Sequence, residues 1–168
     1  LDTRGRQAFA GPLDGAPFSA HPKRGPDGDV WNFGILGRSC VIWHLAPDGA
    51  VRKTKLIELP TASLMHDFAV TATSIVLLLP PMHGDAGGEP KSLVDRYRWH
   101  ADRPLQVLVL DKDTLTIQRR YDLPARFLYH LSNAWEDTSG TIRLDGARLD
   151  QWSIVAVKPQ LHGAVDRI

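Results

Sequence analysis

The chain has 168 residues, with 20 lysines and arginines against 19 aspartates and glutamates, and a formal net charge of +1. This balance gives no reason to expect nucleic acid or an anionic membrane surface as the main partner, because both recruit proteins through clustered positive charge. No apolar run approaches the ~20 residues of a membrane-spanning helix. A hydrophobic content of 43% is typical of a globular domain, and the length suggests one.

The single cysteine, Cys40, cannot form a disulfide within the chain. It lies in the strand-like run Ser39–Trp43, which favours a packed small hydrophobic residue over a nucleophile.

Short strand patterns separated by turn residues account for most of the sequence. In chain order the predicted strands are Val30–Gly37, Ser39–Leu45, Val51–Leu59, His66–Val70, Ser74–Leu79, Gln106–Leu110, Thr114–Tyr121, Phe127–Tyr129 and Thr141–Leu144, with a further edge at Val155–Val157. The tripeptide Pro47-Asp48-Gly49 predicts a hairpin turn, because proline presets its first dihedral and glycine accepts a positive φ. The segment Met82–Pro104 reads as a surface loop, with a short helical turn over Ser92–Trp99.

Turn signals every 8–12 residues indicate an all-β sandwich, barrel or propeller. Three histidines favour the propeller. His21 and His66 are 45 residues apart, and His66 and His130 are 41 apart once the irregular segment 82–104 is left out. A period of about 40–50 residues with about four strands is the pattern of one propeller blade. The chain then holds about three blades, and one histidine on each innermost strand would point to a common axis.

Imidazole ligands suit iron, zinc, copper and nickel. The spacing of the three histidines matches none of the local zinc signatures, and one cysteine cannot form a cysteine-rich zinc site. The remaining histidines are expected to be hydrogen-bonded structural residues; they are His44, His83, His100 and His162.

Three sequence blocks resemble the carotenoid cleavage oxygenase family, which includes lignostilbene dioxygenases and the retinal isomerohydrolase. They are AHPK at 20–23, HDFAVT at 66–71 and YHLSNAWE at 129–136. The family carries these blocks in this order, with phenylalanine usual at the position of Tyr129. The resemblance covers essentially the whole chain.

The resemblance implies a seven-bladed β-propeller with one non-haem Fe(II) per full domain, held by four histidines and no carboxylate. His21, His66 and His130 match the first three ligands. The fourth histidine of the family lies beyond Ile168, so His162 is not assigned to it, and the glutamates that orient the ligands also lie outside this segment. Glu136 is expected to fix the local turn rather than to act as a base.

The implied reaction is a dioxygenase reaction, in which O2 cleaves a conjugated C=C bond of a hydrophobic substrate into two carbonyl products. A carotenoid or apocarotenoid is the first expectation, and a lignostilbene-type phenol the alternative. The loop 82–104 is a candidate for substrate contact, or else a solvated connector. Its candidate contact residues are Met82, Leu93, Tyr97 and Trp99.

We expect residues 1–168 to be the central part of a single propeller domain, truncated at both ends, because an open set of three blades leaves unpaired sheet edges. Two other outcomes stay open: a catalytically incomplete fragment, and a binding scaffold that keeps its histidines as structural residues. We expect a cytoplasmic location, with peripheral membrane contact as an alternative because polyenes partition into lipid.

Overall fold

The computed structural model describes residues 2, 5, 9, 13–84 and 96–149, together with the backbone of 164–167. The named elements within these residues are β-strands, with a 3₁₀ conformation at Arg96, and no helix among them is long and apolar enough to cross a bilayer. The chain divides into two compact units, Leu1–Glu58 and Leu59–Ile168.

The first unit is a four-stranded antiparallel sheet in the order β1-β2-β3-β4. Its strands are β1 (Lys23–Arg24), β2 (Val30–Leu36), β3 (Ser39–Leu45) and β4 (Val51–Glu58). The predicted turn between β3 and β4 is confirmed: Gly49 has a φ of +90° and its N–H donates to the Ala46 carbonyl at 2.9 Å. Strands β2 and β3 are buried along most of their length because they lie in the middle of the sheet.

Cys40 is fully buried in β3, which confirms its prediction as a packing residue. Burial raises the pKa of its thiol to about 12. The thiol is therefore neutral and unreactive at physiological pH.

The segment 13–20 lies on β2 and β3 before the chain reaches His21. The Trp43 indole donates to the Pro17 carbonyl at 3.0 Å, and the Ser19 N–H donates to the Phe33 carbonyl at 2.8 Å. A Cβ on Gly34 would lie 1.9 Å from the Pro17 oxygen. Only glycine therefore allows this backbone to approach β2 so closely.

The described part of the second unit contains three antiparallel sheets, in the orders β10-β9-β6-β5, β11-β12-β13 and β7-β8. The strands are β5 (Phe68–Val70), β6 (Ser74–Leu79), β7 (Met82–Gly84), β8 (Tyr97–Trp99), β9 (Leu105–Asp111), β10 (Ile117–Leu123), β11 (Phe127–Glu136), β12 (Ile142–Leu149) and β13 (Ala164–Arg167).

The two larger sheets of this unit pack through an apolar core. It consists of nine buried side chains: Ala69, Val76, Leu78, Leu105, Val107, Val109, Leu128, Leu131 and Leu144. Strand β6 is buried along its whole length, which agrees with its continuous apolar sequence. This packing brings the start of β5 next to the middle of β11.

Two predictions for the segment 82–104 are wrong. Residues Tyr97–Trp99 form β8, which pairs with β7, rather than a helical turn. Met82 is buried in β7 instead of lying in an exposed loop, because it pairs with Trp99 of β8 and its carbonyl accepts from the Leu64 N–H. Tyr97 and Trp99 are half-buried. Arg96 has a 3₁₀ conformation, and residues 92–95 of the predicted turn, with Leu93, lie outside the described residues, as does the predicted edge at 155–157.

Candidate metal centre

His66 lies two residues before β5, in the segment that leads into the larger sheet of the second unit. The backbone just before it is held to β7, since Leu64 N–H donates to the Met82 carbonyl at 2.8 Å. The side chain of His66 is half-buried, although its neighbours Met65 and Asp67 are buried. The imidazole is therefore presented at the edge of the core.

His130 lies at an irregularity in β11. Leu128 pairs with Arg148 and Leu131 with Gly146, so Tyr129 and His130 together face the single residue Ala147. This is a β-bulge, which changes the direction of side chains and occurs frequently beside active sites. Both bulge residues are exposed, whereas their neighbours in β11 are buried.

The packing of the two sheets brings His66 and His130 together, although they are 64 residues apart in sequence. A ring nitrogen of one lies within 4.8 Å of a ring nitrogen of the other, and the ring centroids are 5.2 Å apart with planes at 62°. A histidine nitrogen binds Zn²⁺, a metal of similar size to Fe²⁺, at about 2.0–2.1 Å. Two nitrogens that share one ion lie at most about 4.2 Å apart, so the observed separation is close to what a shared ion requires.

Tyr129 contacts both imidazoles. Its ring stacks on His66 with centroids 3.9 Å apart and planes at 25°, and it meets the His130 ring nearly edge-on at 4.8 Å and 86°. The sequence indicated this residue only as a departure from the usual phenylalanine. The stack covers one face of the His66 imidazole and restricts its rotation.

Asp67 connects the backbones that carry the two histidines. One carboxylate oxygen accepts from the Phe68 N–H and the other from the Leu131 N–H, each at 2.8 Å. Asp67 is only 5% exposed, so these charge-assisted bonds are shielded from water. Sequence reasoning missed this role, although Asp67 belongs to the second motif block.

Glu136, at the end of β11, makes a second connection between the same sheets. It accepts hydrogen bonds from the hydroxyl groups of Thr71 and Thr73, the latter at 2.7 Å. Partial burial alone would raise the pKa of Glu136, but the hydrogen bonds from Thr71, Thr73 and Ser74 outweigh it and lower the pKa. Glu136 therefore stays ionised. It fixes the turn between β5 and β6, so the prediction that it fixes its own local turn is wrong.

His21 belongs to the first unit, where it lies two residues before β1. Its N–H donates to the Ser19 hydroxyl at 3.2 Å. Ser19 is bound in turn by Asn32, whose side-chain amide donates to the Ser19 carbonyl at 2.9 Å. Asn32 is fully buried in β2, so the backbone that carries His21 is anchored to the sheet. The role of Asn32 gave no signal in the sequence.

The other described histidines have protein partners. His44 donates to Asp29 at 2.7 Å and stacks on Trp31, with ring centroids 3.8 Å apart. The Arg103 guanidinium donates to Nδ1 of His83 at 3.2 Å, and the ring of His100 lies 5.1 Å from that of His83. The contacts of His44 and His83 agree with the predicted hydrogen-bonded structural roles. Nε2 of His100 is buried without a hydrogen-bond partner among the described residues, so the prediction is not met at that ring nitrogen. His162 lies outside the described residues.

Together these observations define an all-β protein with two histidines brought together where two sheets pack. A family model described as retinal pigment epithelial membrane protein (RPE65) matches residues 1–165. The chain belongs to this family, that of the carotenoid cleavage oxygenases, which confirms the resemblance of its three motif blocks.

Curated relatives and solved structures agree. Carotenoid cleavage oxygenase 1 of Neurospora crassa is 29% identical over 155 residues, which are 88% of this chain and 29% of that protein. Isoeugenol monooxygenase of Pseudomonas nitroreducens is 30% identical over 144 residues, 81% of this chain and 30% of that protein. A crystal structure of cobalt-substituted Synechocystis ACO superposes with a TM-score of 0.74 at 25% identity, covering 83% of this chain and 31% of that one.

The chain thus spans about three-tenths of the length of the relatives it matches. The predicted fold class, a fragment of an all-β propeller, is confirmed by the solved structures. The number of blades and the assignment of His21, His66 and His130 as metal ligands stay predictions.

Proposed function

We propose that the whole protein is an oxygenase that uses Fe(II) and O2 to cleave a C=C bond of a conjugated, hydrophobic substrate. The observation that carries this proposal is the meeting of His66 and His130, which come from two different motif blocks of the family. His66 lies in the segment that leads into β5, and His130 lies in β11 of another sheet. The cleavage breaks one C=C bond and the O=O bond and forms two C=O bonds, so each carbonyl product receives one oxygen atom.

We propose that His21, His66 and His130 hold one Fe(II), together with a fourth histidine that the resemblance places beyond Ile168. The donor set fits this metal, because neutral imidazoles are good ligands for ferrous iron. Asp67, the carboxylate next to His66, has both oxygens occupied by backbone N–H groups, which supports an all-histidine set. When bound, Fe(II) supplies the one-electron chemistry that O2 needs to react with a closed-shell alkene.

The residues of the chain itself hold and shield this centre. Tyr129 covers one face of His66, while its exposed side and that of His130 present an aromatic surface to an incoming substrate. No general acid or base is required, because the reaction transfers no proton. Glu136 is occupied by two threonine hydroxyl groups and does not serve as one.

The substrate class that we favour is a carotenoid or apocarotenoid, as in the name of the Neurospora relative. A smaller phenolic alkene is the second candidate, because the relative from Pseudomonas nitroreducens is named for its action on isoeugenol.

We also propose that the chain is the central part of a single propeller domain, and that the protein is cytoplasmic with peripheral contact to the membranes that hold polyenes.

The test is a cleavage assay on the longest natural form of the chain, purified without air and loaded with Fe(II). An apocarotenal and a hydroxystilbene are supplied separately under ¹⁸O2, and the products are identified by mass spectrometry. We expect two carbonyl products from one of the substrates, each labelled with ¹⁸O, and none after chelation of the metal. Failure to cleave either substrate, or turnover that survives removal of iron, would contradict the proposal and favour a binding scaffold.

A further inference from the structure

The bulge that presents His130 in β11 has a side-chain anchor outside its own sheet. Where β11 departs from regular pairing with β12, the N–H of Leu131 is bound by the carboxylate of Asp67. The other oxygen of the same carboxylate binds the N–H of Phe68, the first residue of β5. The buried side chain of Asp67 therefore fixes two backbone N–H groups. One belongs to Phe68, which follows Asp67, and the other to Leu131, which follows His130.

We propose that Asp67 is a positioning residue that sets the distance between His66 and His130, and thereby the affinity of the pair for a divalent metal ion. Asp67 follows His66 directly, and its acceptor bond to Leu131 is made to the residue that follows His130 directly. A shift of either backbone segment would break this bond. This inference rests on the proposed function, because it assigns a role to Asp67 only if the two histidines bind metal.

The chemistry of the site requires a carboxylate. Two N–H donors point at one buried side chain, and a carboxylate offers an acceptor oxygen to each. An asparagine would offer one oxygen and one NH2 group, so one buried donor would face another donor. A buried donor without an acceptor is costly, and the backbone would move to relieve it.

The backbone of the neighbouring strand β12 packs closely against the bulge and also restricts its movement. A Cβ on Gly146 would lie 3.1 Å from the His130 carbonyl oxygen and 2.9 Å from Leu131 Cδ2. The backbone of β12 thus lies directly against the bulge. Asp67 holds the bulge from one side, and β12 supports it from the other.

Glu136 provides a matched control. It also joins β11 to the segment around β5 through two hydrogen bonds, but it does so six residues beyond His130 and at the opposite end of β5 from His66. Loss of these two bonds weakens the packing of the same two sheets without releasing the backbone next to either histidine. If Asp67 only held the two sheets together, substitution of Asp67 and substitution of Glu136 would change the metal affinity equally.

The experiment is a titration of the metal-free, longest natural form with Co(II), followed by the visible absorption of the bound ion. Wild type, Asp67→Asn, Asp67→Ser and Glu136→Gln are compared, and thermal melting is recorded for each. We expect both Asp67 variants to raise the Co(II) Kd by about 10-fold or more and to shift the absorption bands, as loss of a ligand-orienting contact does. Glu136→Gln keeps the wild-type spectrum, with a Kd within about two-fold of wild type.

Asp67→Ser keeps the inference testable if Asp67→Asn does not fold. Its hydroxyl can still accept from the N–H of Phe68, as short polar side chains do at such positions, but it cannot reach Leu131. Wild-type Kd and spectrum in a folded Asp67 variant would overturn the positioning role, and so would an equal loss of affinity in Glu136→Gln. Absence of Co(II) binding by the wild type would instead overturn the proposed function, and this inference with it.

Discussion

Gly34 is the position at which a single methyl group should do the most damage to the first unit. In Gly34→Ala the new Cβ would lie 1.9 Å from the Pro17 carbonyl oxygen and 2.4 Å from its carbon, both backbone atoms. Backbone cannot rotate away as a flexible side chain can. The segment 13–20 must therefore move off β2 by about 1.5 Å to restore ordinary contact.

The magnitude follows from what this movement breaks. The bond from the Trp43 indole to Pro17, 3.0 Å long, is lost, and the bond from Ser19 N–H to the Phe33 carbonyl is strained. Overpacking costs about 1–3 kcal/mol and a lost hydrogen bond about 0.5–1.5 kcal/mol. We expect Gly34→Ala to lower the free energy of unfolding by about 2–4 kcal/mol.

Denaturant unfolding of the longest natural form, followed by tryptophan fluorescence, measures this difference. Gly84→Ala is the matched control, because it makes the same change in a β-strand where the nearest atom to the new Cβ is 3.6 Å away. We expect the control to be neutral, or to be stabilised by up to about 1 kcal/mol. A Gly34→Ala protein within about 0.5 kcal/mol of wild type would show that segment 13–20 does not lie on β2 as described.

Three further predictions concern single residues. Hydrogen bonds from Ser139 and from the Thr141 backbone lower the pKa of Asp137 to about 2. The ionised Asp137 therefore contributes its full stabilisation above the unfolded-state pKa of about 4, and this contribution is lost as the pH falls from about 4 to 2. In Asp137→Asn the melting temperature should depend less steeply on pH over this window. An unchanged slope would contradict this prediction. Cys40 should react with a thiol reagent only after unfolding, because it is buried; rapid labelling of the native protein would refute this. Gly146→Ala should destabilise the protein by about 1–3 kcal/mol in denaturant unfolding, because its Cβ would press on the His130 carbonyl; a neutral result would contradict the bulge geometry.

The strands that could be predicted from the sequence are those with strong local signals. Strand β3 has the predicted bounds Ser39–Leu45, and β6 the predicted bounds Ser74–Leu79. Both are apolar and bounded by turn residues, so their pairing partners add little to what the local pattern indicates. The same holds for Gly49, whose place in the hairpin turn demands a positive φ.

Strand β8 shows where local signals fail. The three residues Tyr97–Trp99 have no period of their own, and they become a strand only because β7 offers a partner. β-Structure depends on such pairing more than helix depends on its neighbours. The extension of β11 through the bulge to Glu136 is of the same kind, because it follows from pairing with β12.

The candidate site also contains residues that the sequence predicts and residues that it does not. The histidines could be chosen because three motif blocks carry them. The connections made by Asp67 and Glu136 could not be predicted from the sequence, because each joins residues more than 60 positions apart and has no local pattern. Hydrogen bonds of this kind are fixed by how the sheets pack, which the sequence of either segment alone does not encode.

The central claim is that these histidines bind one iron, and iron content per chain tests it most directly. The longest natural form, its His66→Ala variant and its His44→Ala variant are purified without air, given Fe(II), desalted and analysed for metal. His44 is the control because it bonds Asp29 and stacks on Trp31. We predict about one iron per chain in wild type and in His44→Ala, and almost none in His66→Ala. No iron in the wild type, or equal loss in both variants, would contradict the claim.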